Sequence, residues 1–338
     1  MPPVESSQIW DVVATIDEPP ALALAFAAWH LEQGAGTLHL YLDNPDDPVG
    51  ALLDGNPRIR VTRCGEDHWK GRRPSLHQMR QRRNATRAAK ESGADWLFHI
   101  DADEFLRSQT SVADTLPTDG TPLLRVPVAE RIYRPKARRR TIFAGDFRRP
   151  SRLNRSDGML RFGPAYGLTR RGLSGHAFGK VAARPAAVGT FSLHRAWGEV
   201  EGDLPEARAA GLELLHFDGL TPLHWVQKLL RKTVPPEDGI HPVSAHQKEI
   251  LEMLLEAPRE AAGLHDVFKA PAADLREELA ESGLILAEPF DPRPAIRRHF
   301  PGVAVDLSPA AFDRWLWGRH GRLLDGIDLP AALRRSRP

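Results

Sequence analysis

The chain has 338 residues, of which 41% are hydrophobic and 27% are charged, and its formal net charge is +2. These values are ordinary for a soluble globular protein, and the length suits one large domain or one domain with an appendage. The longest apolar run, ALALAFAAW at 21–29, is too short to span a bilayer. The first residues lack the pattern of a signal peptide, and the single cysteine, Cys64, excludes an internal disulfide. We therefore expect a cytoplasmic protein.

The first hundred residues alternate between strand and helix patterns. Pro20 stands at the start of one apolar helical pattern, and Gly34 stands where the C-terminal cap belongs. The predicted strands are 9–16, 37–42, 57–63 and 96–100, and the predicted helices are 20–34 and 76–92. Strands separated by helices form parallel sheets through right-handed crossovers, and ligands bind at the carboxyl ends of such strands. This pattern predicts an α/β fold.

The pattern changes in the second half of the chain. From about 121 to 220, short strand patterns alternate with Gly, Pro and Arg, which indicates the rest of a mixed, mainly parallel sheet with long loops. Beyond about 221 the patterns are mostly helical. We predict one domain at 1–232 and a helical C-terminal extension at 233–338.

Positive charge is concentrated in two segments. Residues 131–155 hold ten Lys and Arg and one acid, and residues 70–90 hold eight and no acid. Such patches suit an anionic ligand or a membrane surface, and equally a solvated basic face. Few aromatic residues interleave with the arginines, so we expect no nucleic-acid partner. We predict that 131–155 contacts an anionic acceptor, or lies peripherally at the inner face of the membrane.

Acidic residues follow three of the four predicted strands. Asp17 and Glu18 follow the first, Asp43 follows the second, and Asp101 and Asp103 follow the buried run WLFHI at 96–100. Carboxylates crowded at one strand end repel each other unless positive charge is present. Because the carboxyl ends of parallel strands share one edge of a sheet, these residues indicate a polar site there.

An Asp-x-Asp sequence after a strand has several interpretations. A loop with local capping contacts is the plainest. A helix–loop–helix calcium site is disfavoured, because Leu106 stands where that loop requires glycine. A haloacid-dehalogenase-type phosphatase expects the motif on an early strand, with Thr or Val where Phe105 stands here. A divalent cation that bridges to a substrate diphosphate fits the hard oxygen ligands.

The run RQRRNATRAAKESGADWLFHIDADEFL resembles family 2 glycosyltransferases of the GT-A fold. Those proteins carry an Arg-Asn pair on a helix, about fifteen residues before a strand that ends in Asp-x-Asp. Here Arg83-Asn84 and Asp101-Ala102-Asp103 match in type, spacing and order. The form DADEF, with YLDNPDD and LHFDGLTPLHWVQKLLRK, resembles a subgroup with a divergent catalytic core. The resemblance covers roughly residues 8 to 232 and implies a GT-A-like nucleotide-sugar-binding domain.

The resemblance implies roles for particular residues. It places the nucleotide sugar against strand-end residues and against the helix before Asp-x-Asp, and it implies Mn²⁺ or Mg²⁺ as cofactor. The implied nucleotide-sugar-binding residues are Thr15, Asp17, Glu18, Asp43, Arg83, Asn84 and Asp101. Many relatives have Asn-Glu where Asp17-Glu18 stands. The implied metal ligands are Asp101, Asp103 and His216, with His194 as the rival histidine, and Lys180 and His194 are assigned to the acceptor side.

The resemblance implies a reaction that moves a sugar from a nucleoside-diphosphate sugar to a glycan or lipid-linked acceptor by direct displacement with inversion. A carboxylate would deprotonate the acceptor hydroxyl. No Glu-Asp pair follows between 110 and 220, so Asp218 is our choice ahead of Glu199 and Asp203. Two alternatives stay open: a metal-dependent nucleotidyl- or phosphoryl-transfer enzyme, and a non-catalytic glycan-binding relative. The expected biological setting is polysaccharide biosynthesis.

Overall fold

The computed structural model describes residues 8–134, 140–198, 203–234 and 244–337. Over these ranges the chain has a mixed α/β fold with parallel and antiparallel strand pairs, which confirms the predicted fold class. Its contacts divide the chain into two compact units: unit 1 is Met1–Pro127, Phe178–Leu214 and Pro292–Ala304, and unit 2 is Val128–Ala177, Leu215–Asp291 and Val305–Pro338. The sequence-based boundary between 232 and 233 stays a prediction.

The strands of the described ranges are short beyond the first. They are β1 (Trp10–Ile16), β2 (Leu38–Leu42), β3 (Ile59–Arg63), β4 (Trp96–His99), β5 (Glu104–Ser108), β6 (Leu123–Val126), β7 (Val128–Ile132), β8 (Asp146–Arg148), β9 (Lys180–Ala183), β10 (Thr190–Phe191), β11 (Ala196–Trp197), β12 (Glu206–Arg208), β13 (Leu212–His216) and β14 (Ile285–Leu286).

The α-helices of the same ranges are concentrated after residue 220. They are α1 (Pro20–Glu32), α2 (Val49–Leu53), α3 (Glu66–Trp69), α4 (His77–Glu91), α5 (Arg155–Phe162), α6 (Pro222–Leu230), α7 (Ala245–Glu256), α8 (Ala261–Lys269), α9 (Ala273–Glu281), α10 (Arg293–His299), α11 (Pro309–Leu324) and α12 (Ala331–Arg334). Short 3-10 turns lie at Ala113–Thr115, Pro164–Leu168, Pro185–Ala187, Arg231–Thr233 and Pro258–Glu260.

Unit 1 contains a sheet with the strand order β12-β6-β9-β4-β1-β2-β3. Strands β1 to β4 pair in parallel, whereas β9 runs antiparallel to both β4 and β6. Val12 in β1 aligns with Leu38 in β2 and Phe98 in β4, so the carboxyl ends of these strands lie at one edge. The predicted mixed, mainly parallel sheet is therefore confirmed.

Burial and capping explain why β1, β2, β4 and α1 could be predicted from the sequence. Strands β1, β2 and β4 are buried on both faces, which produces near-continuous apolar runs. Helix α1 ends at Glu32, and Gly34 adopts a φ of +97° just beyond it, a left-handed conformation that glycine adopts without steric cost.

The buried carboxylate of Asp11 accepts hydrogen bonds from the Thr37 amide at 2.8 Å and the Ser92 hydroxyl at 2.7 Å. Asp11 thus ties the start of β1 to the starts of β2 and β4.

Helix α4 carries buried polar residues on its inner side. Ala85, Ala88 and Ala89 belong to the apolar cluster that packs below the sheet, and Arg82 and Arg83 are exposed. Its mean composition is strongly polar, so packing of a narrow alanine face stabilises it more than general hydrophobicity does.

Unit 2 is built on antiparallel pairing of β8 with β7 and with β14. Its core contains an aromatic group centred on Phe217, whose ring lies 5.0 to 5.2 Å from those of Phe143, Phe147 and Phe290. Buried Arg131 donates to the carbonyl of Ile142 at 2.7 Å. Helices dominate the rest of the unit.

The basic segment 131–155 is only partly available for an external ligand. Residues 135–139, which hold Arg138 and Arg139, lie outside the described residues. Arg131 and Arg148 are buried, and Arg134 forms an ion pair with Asp146 at 2.9 Å. Contact of this segment with an acceptor or membrane stays a prediction for its remaining arginines. Across the part of the chain that is described, no helix combines the length and apolarity needed to cross a membrane.

Candidate functional site

Three buried side chains of α4 contact the ends of three parallel strands in unit 1. Arg80, Gln81 and Asn84 are 9%, 7% and 1% exposed. Asn84 lies four positions after Arg80 and three after Gln81, and both spacings place side chains on one side of a helix, so each shares a face with Asn84. We call this group and its partners the strand-end cluster.

Arg80 binds Asp43, which follows β2. Its Nε and Nη2 donate to the two carboxylate oxygens of Asp43 at 2.8 and 2.9 Å, and its Nη1 donates to the carbonyls of Pro74 and Ser75. Burial raises the pKa of Asp43, but His77 and Arg80 outweigh that effect and hold the pKa well below its usual range. Arg73, which is partly exposed, also lies 3.1 Å from Asp43. The cluster therefore holds an ionised carboxylate under a layer of basic groups.

Asn84 links α4 to β1. Its Nδ2 donates to Thr15 Oγ1 at 3.0 Å, and its Oδ1 lies 3.0 Å from Nε2 of His68. Burial lowers the pKa of His68 more than the contact with Asn84 raises it. A neutral His68 that carries its proton on Nε2 satisfies the amide oxygen. Two of the predicted nucleotide-binding residues, Thr15 and Asn84, thus lie in direct contact.

Asp101 is held by two donors. Gln81 Nε2 donates to its Oδ1 at 2.6 Å, and Lys180 Nζ donates to its Oδ2 at 2.6 Å. Lys180 comes from β9, is 1% exposed, and also lies 3.4 Å from Glu104 Oε2. Burial lowers the pKa of Lys180, but the carboxylates of Asp101 and Glu104 together raise it by more than burial lowers it. The ammonium therefore stays charged. Lys180 is therefore a source of positive charge at the acidic strand end.

The other predicted residues of unit 1 have varied positions. Asp17 and Glu18 follow β1 and are half-buried. Arg83 is exposed on the outer side of α4, where it donates to the carbonyl of Arg72 at 3.3 Å. His194 Nδ1 lies 2.9 Å from the carbonyl of Gly179, the neighbour of Lys180 in sequence. Arg83 and His194 thus each contact a backbone carbonyl, whereas the contacts of the strand-end cluster include side-chain oxygens at the strand ends.

Unit 2 contains a separate buried network of charges. Lys269 Nζ donates to Glu130 Oε1 at 2.8 Å and to Asp218 Oδ2 at 3.0 Å. The hydroxyl of Ser174 bridges the same two carboxylates at 3.1 and 3.0 Å. Glu130, Asp218 and Lys269 are each at most 8% exposed. A buried carboxylate pair needs such donors to stay ionised.

Asp218, the predicted catalytic base, is thus a member of an ion-pair network. Lys228 lies 3.0 Å from its Oδ1. Burial raises the pKa of Asp218, but Lys269 and Lys228 hold it well below its usual range. The Asp218 carboxylate is therefore ionised at neutral pH and binds a proton weakly. Of the two weaker candidates, Asp203 is exposed, and Glu199 lies outside the described residues.

His216, the predicted third metal ligand, is buried in unit 2. Its ring centroid lies 4.9 Å from that of His176, and its Nδ1 lies 3.9 Å from Glu130 Oε2. Gly175 lies between these groups, because a Cβ atom there would come 2.6 Å from Glu130 Oε2 and 2.8 Å from His216 Cε1. Imidazoles are common metal ligands. The sequence prediction did not include His176.

A basic rim lies beside Asp218 in unit 2. Arg170 Nε donates to His246 Nε2 at 3.1 Å. Burial lowers the pKa of Lys232 to about 8, which Asp218 partly offsets and Lys228 and Arg170 reinforce.

Sequence reasoning missed several residues that the structure brings together. Arg80 and Gln81 could have been found from helical spacing to Asn84. Lys228 lies on α6 in the quoted run LHFDGLTPLHWVQKLLRK. Glu130 and Lys269 are 139 positions apart and give no local signal.

Comparison with known proteins gave little further information. No family model and no curated protein matches the chain. One similar solved structure, described as that of a mycobacterial protein, is 14% identical over 68% of this chain and 76% of its own, with a TM-score of 0.30. Another, TarS of S. aureus (residues 1–349), is 9% identical over 94% of this chain and 88% of its own, with a TM-score of 0.32. Likenesses at this level carry no argument, so function is argued from the residues.

Proposed function

We propose that the chain is a glycosyltransferase that moves a sugar from a nucleoside-diphosphate sugar to a glycan or lipid-linked acceptor. The observation that carries the proposal is the face of α4 in unit 1. Arg80, Gln81 and Asn84 contact groups at the ends of β2, β4 and β1. Nucleotides bind at the carboxyl ends of parallel strands, and four residues that the resemblance implied lie at this edge: Thr15, Asp43, Asn84 and Asp101.

The chemistry of the cluster suits a nucleoside diphosphate. Asp43 carries oxygens that can accept from a nucleobase, and its fork with Arg80 fixes their direction. The Arg73 side chain is 43% exposed and lies 3.1 Å from Asp43, so its other donors remain accessible to an anionic ligand. By this proposal Thr15, Asn84 and Asp101 bind the nucleotide sugar beside them.

The donor set also suits Mn²⁺ or Mg²⁺. Carboxylate oxygens are the ligands that these cations take. Oδ2 of Asp101 accepts from Lys180, and we assign Asp103 as the principal carboxylate ligand of the ion. His216 remains our proposed third ligand. When bound, the ion would neutralise charge on the departing diphosphate.

We propose Asp218 as the base on the acceptor side. Asp218 would accept the proton of the acceptor hydroxyl, and its low pKa would keep it ionised far into the acid range. Lys180 holds Asp101 in place, which makes it a positioning residue for the donor. The proposed reaction breaks the bond between the sugar and the diphosphate and forms a bond from the sugar to the acceptor oxygen.

The deciding experiment is incubation of the protein with a panel of nucleotide sugars and Mn²⁺, with release of sugar and nucleoside diphosphate measured separately. Release of both supports a glycosyltransferase. Exchange of nucleotide without sugar release supports nucleotidyl transfer, and binding without turnover supports a non-catalytic relative. No binding of any nucleotide sugar would overturn the proposal.

Variants of Arg80 connect that activity to the cluster. Arg80→Lys keeps one positive charge but loses the two parallel hydrogen bonds to Asp43, so nucleotide affinity should fall by at least ~10-fold. Arg63→Ala is the matched control, because Arg63 pairs with Asp54 and both side chains are 46% exposed. Equal nucleotide affinity in Arg80→Lys and wild type, with fold intact, would remove the cluster from the site.

A further inference from the structure

The outer side of α4 borders a cavity of about 520 Å³ in unit 1. The helix and the short strand β10 form its walls, with Phe191 N donating to Thr86 Oγ1 at 3.1 Å between them. The cavity is lined by Met79, Arg82, Arg83, Thr86, Arg87, Lys90 and Thr190. Four of these seven residues are cationic, and all four are exposed.

Most of this charge has no acidic partner within the described ranges. Arg87 pairs with Glu91 at 2.9 Å, and the contact of Arg83 is to a carbonyl. No ion pair to Arg82, Arg83 or Lys90 is formed there. Arg83 and Arg87 are four positions apart, and Arg87 and Lys90 are three apart, so like charges are neighbours on the helix surface. An anion in the cavity would relieve that repulsion.

We propose that this cavity binds the phosphate groups of a small phosphorylated molecule. Guanidinium and ammonium groups donate charge-assisted hydrogen bonds to phosphate oxygens, and arginine suits forked contacts. The site is distinct from the strand-end cluster, since the side chains of Arg80, Gln81 and Asn84 contact the sheet edge. The proposal does not depend on the glycosyltransferase assignment.

The volume of the cavity suits a small ligand. Ligand pockets typically have volumes of about 300–1,000 Å³, a range that contains this cavity. The threonine methyl groups and Met79 offer apolar contacts for the carbon part of the ligand.

The test uses inorganic pyrophosphate as the probe, in calorimetric titrations at low ionic strength on the full chain. Arg82→Ser/Lys90→Ser should weaken the affinity by at least ~10-fold, because each removes charged hydrogen-bond donors. Arg195→Ser/Arg208→Ser is the matched control, since it removes two exposed arginines elsewhere in unit 1. The control variant should bind pyrophosphate as wild type does, and added salt should weaken the binding of pyrophosphate to both proteins.

Arg80→Lys separates this site from the strand-end cluster: any loss of pyrophosphate affinity in Arg80→Lys should be smaller than the loss in Arg82→Ser/Lys90→Ser. The proposal is overturned if Arg82→Ser/Lys90→Ser binds as wild type does, if the control pair loses as much affinity, or if only Arg80→Lys weakens binding. Binding to vesicles of anionic phospholipid without binding of pyrophosphate would also overturn it, in favour of a membrane contact. Circular dichroism checks that the exposed substitutions leave the fold intact.

Discussion

Lys180 Nζ lies 2.6 Å from Asp101 Oδ2, so a buried ammonium on β9 holds the carboxylate that follows β4. The same ammonium lies 3.4 Å from Glu104, whose Oε2 accepts the Asp101 amide at 2.8 Å. The antiparallel pairing of β9 with β4 brings these residues together although they are 79 positions apart. The fold thus adds a buried ammonium to an acidic segment whose nearest Lys or Arg in the sequence is Arg107.

Lys180→Met should lower the free energy of unfolding by ~3–5 kcal/mol, because it removes a buried cation from two carboxylates. Urea unfolding at pH 7 measures this change. Lys248→Met is the control: Lys248 is 71% exposed, and its loss should change stability by no more than ~0.5 kcal/mol. Equal stability of the two variants would show that the buried contact contributes little.

The acid stability of the protein should depend on Asp43. Its pKa is lower in the folded protein than in the unfolded chain, so its contribution is complete above the unfolded value of ~3.9 and is lost as the pH falls below it. Between pH 6 and pH 3, wild type should therefore lose ~1 kcal/mol more stability than Asp43→Asn. Urea unfolding at both pH values tests this, with Asp54→Asn as a half-exposed control that should follow wild type.

The structure shows which parts of the site a sequence can predict. Strands β1, β2 and β4 were predictable because burial on both faces produces apolar runs, and the polar residues after them mark one sheet edge. Asp43, Asn84 and Asp101 lie at that edge in the structure, while their roles in nucleotide binding stay predictions. Arg83 was chosen from the resemblance, but consecutive helical residues diverge by about 100°, and the residue that shares the face of Asn84 is Arg80.

Long-range partners could not be predicted in the same way. Lys180 reaches Asp101 through an antiparallel strand in an otherwise parallel neighbourhood, which no local period encodes. Lys269 reaches Glu130 from the end of α8. Such pairs depend on how distant segments pack, and a single sequence carries that information only in the energetics of the whole fold.

Asp313 should make the stability of the protein fall between pH 5 and pH 8. Burial raises its pKa to about 7, although a hydrogen bond with Thr221 opposes this. The folded state therefore binds a proton that the unfolded chain releases near pH ~4, and stability declines as the pH rises through this interval. Over it, wild type should lose ~1–3 kcal/mol more than Asp313→Asn. Asp325→Asn, at a half-exposed acid paired with Arg337, should match wild type.

Gly175→Ala should destabilise the protein by ~1–3 kcal/mol, because an added Cβ would lie 2.6 Å from Glu130 and 2.8 Å from His216. Thermal unfolding provides the measurement. Gly263→Ala is the contrasting control, since a Cβ there meets nothing within 4 Å and the residue lies inside α8. Alanine should stabilise that helix by ~0.5–1 kcal/mol. If Gly175→Ala stabilises the protein as Gly263→Ala does, the packing described around His216 is wrong.

Asp103→Asn tests the proposed metal ligand directly. The substitution keeps the shape of the side chain and removes one formal charge, so the fold should remain intact while Mn²⁺-dependent nucleotide affinity falls by at least ~10-fold. Turnover should fall by at least ~100-fold if the ion stabilises the departing diphosphate. Nucleotide binding is measured by calorimetry with and without Mn²⁺.

Glu104→Gln is the matched comparison for Asp103→Asn, because it removes one charge from the adjacent residue. Glu104 Oε2 accepts a hydrogen bond from the Asp101 amide and lies 3.4 Å from Lys180 Nζ. Its loss should therefore lower stability more than Asp103→Asn does, and should reduce the Mn²⁺ dependence less. If wild type and Asp103→Asn show the same dependence on Mn²⁺, Asp103 holds no ion. The metal would then have to be removed from the proposed reaction, whereas the contacts of Arg80 and Asn84 would still support nucleotide binding.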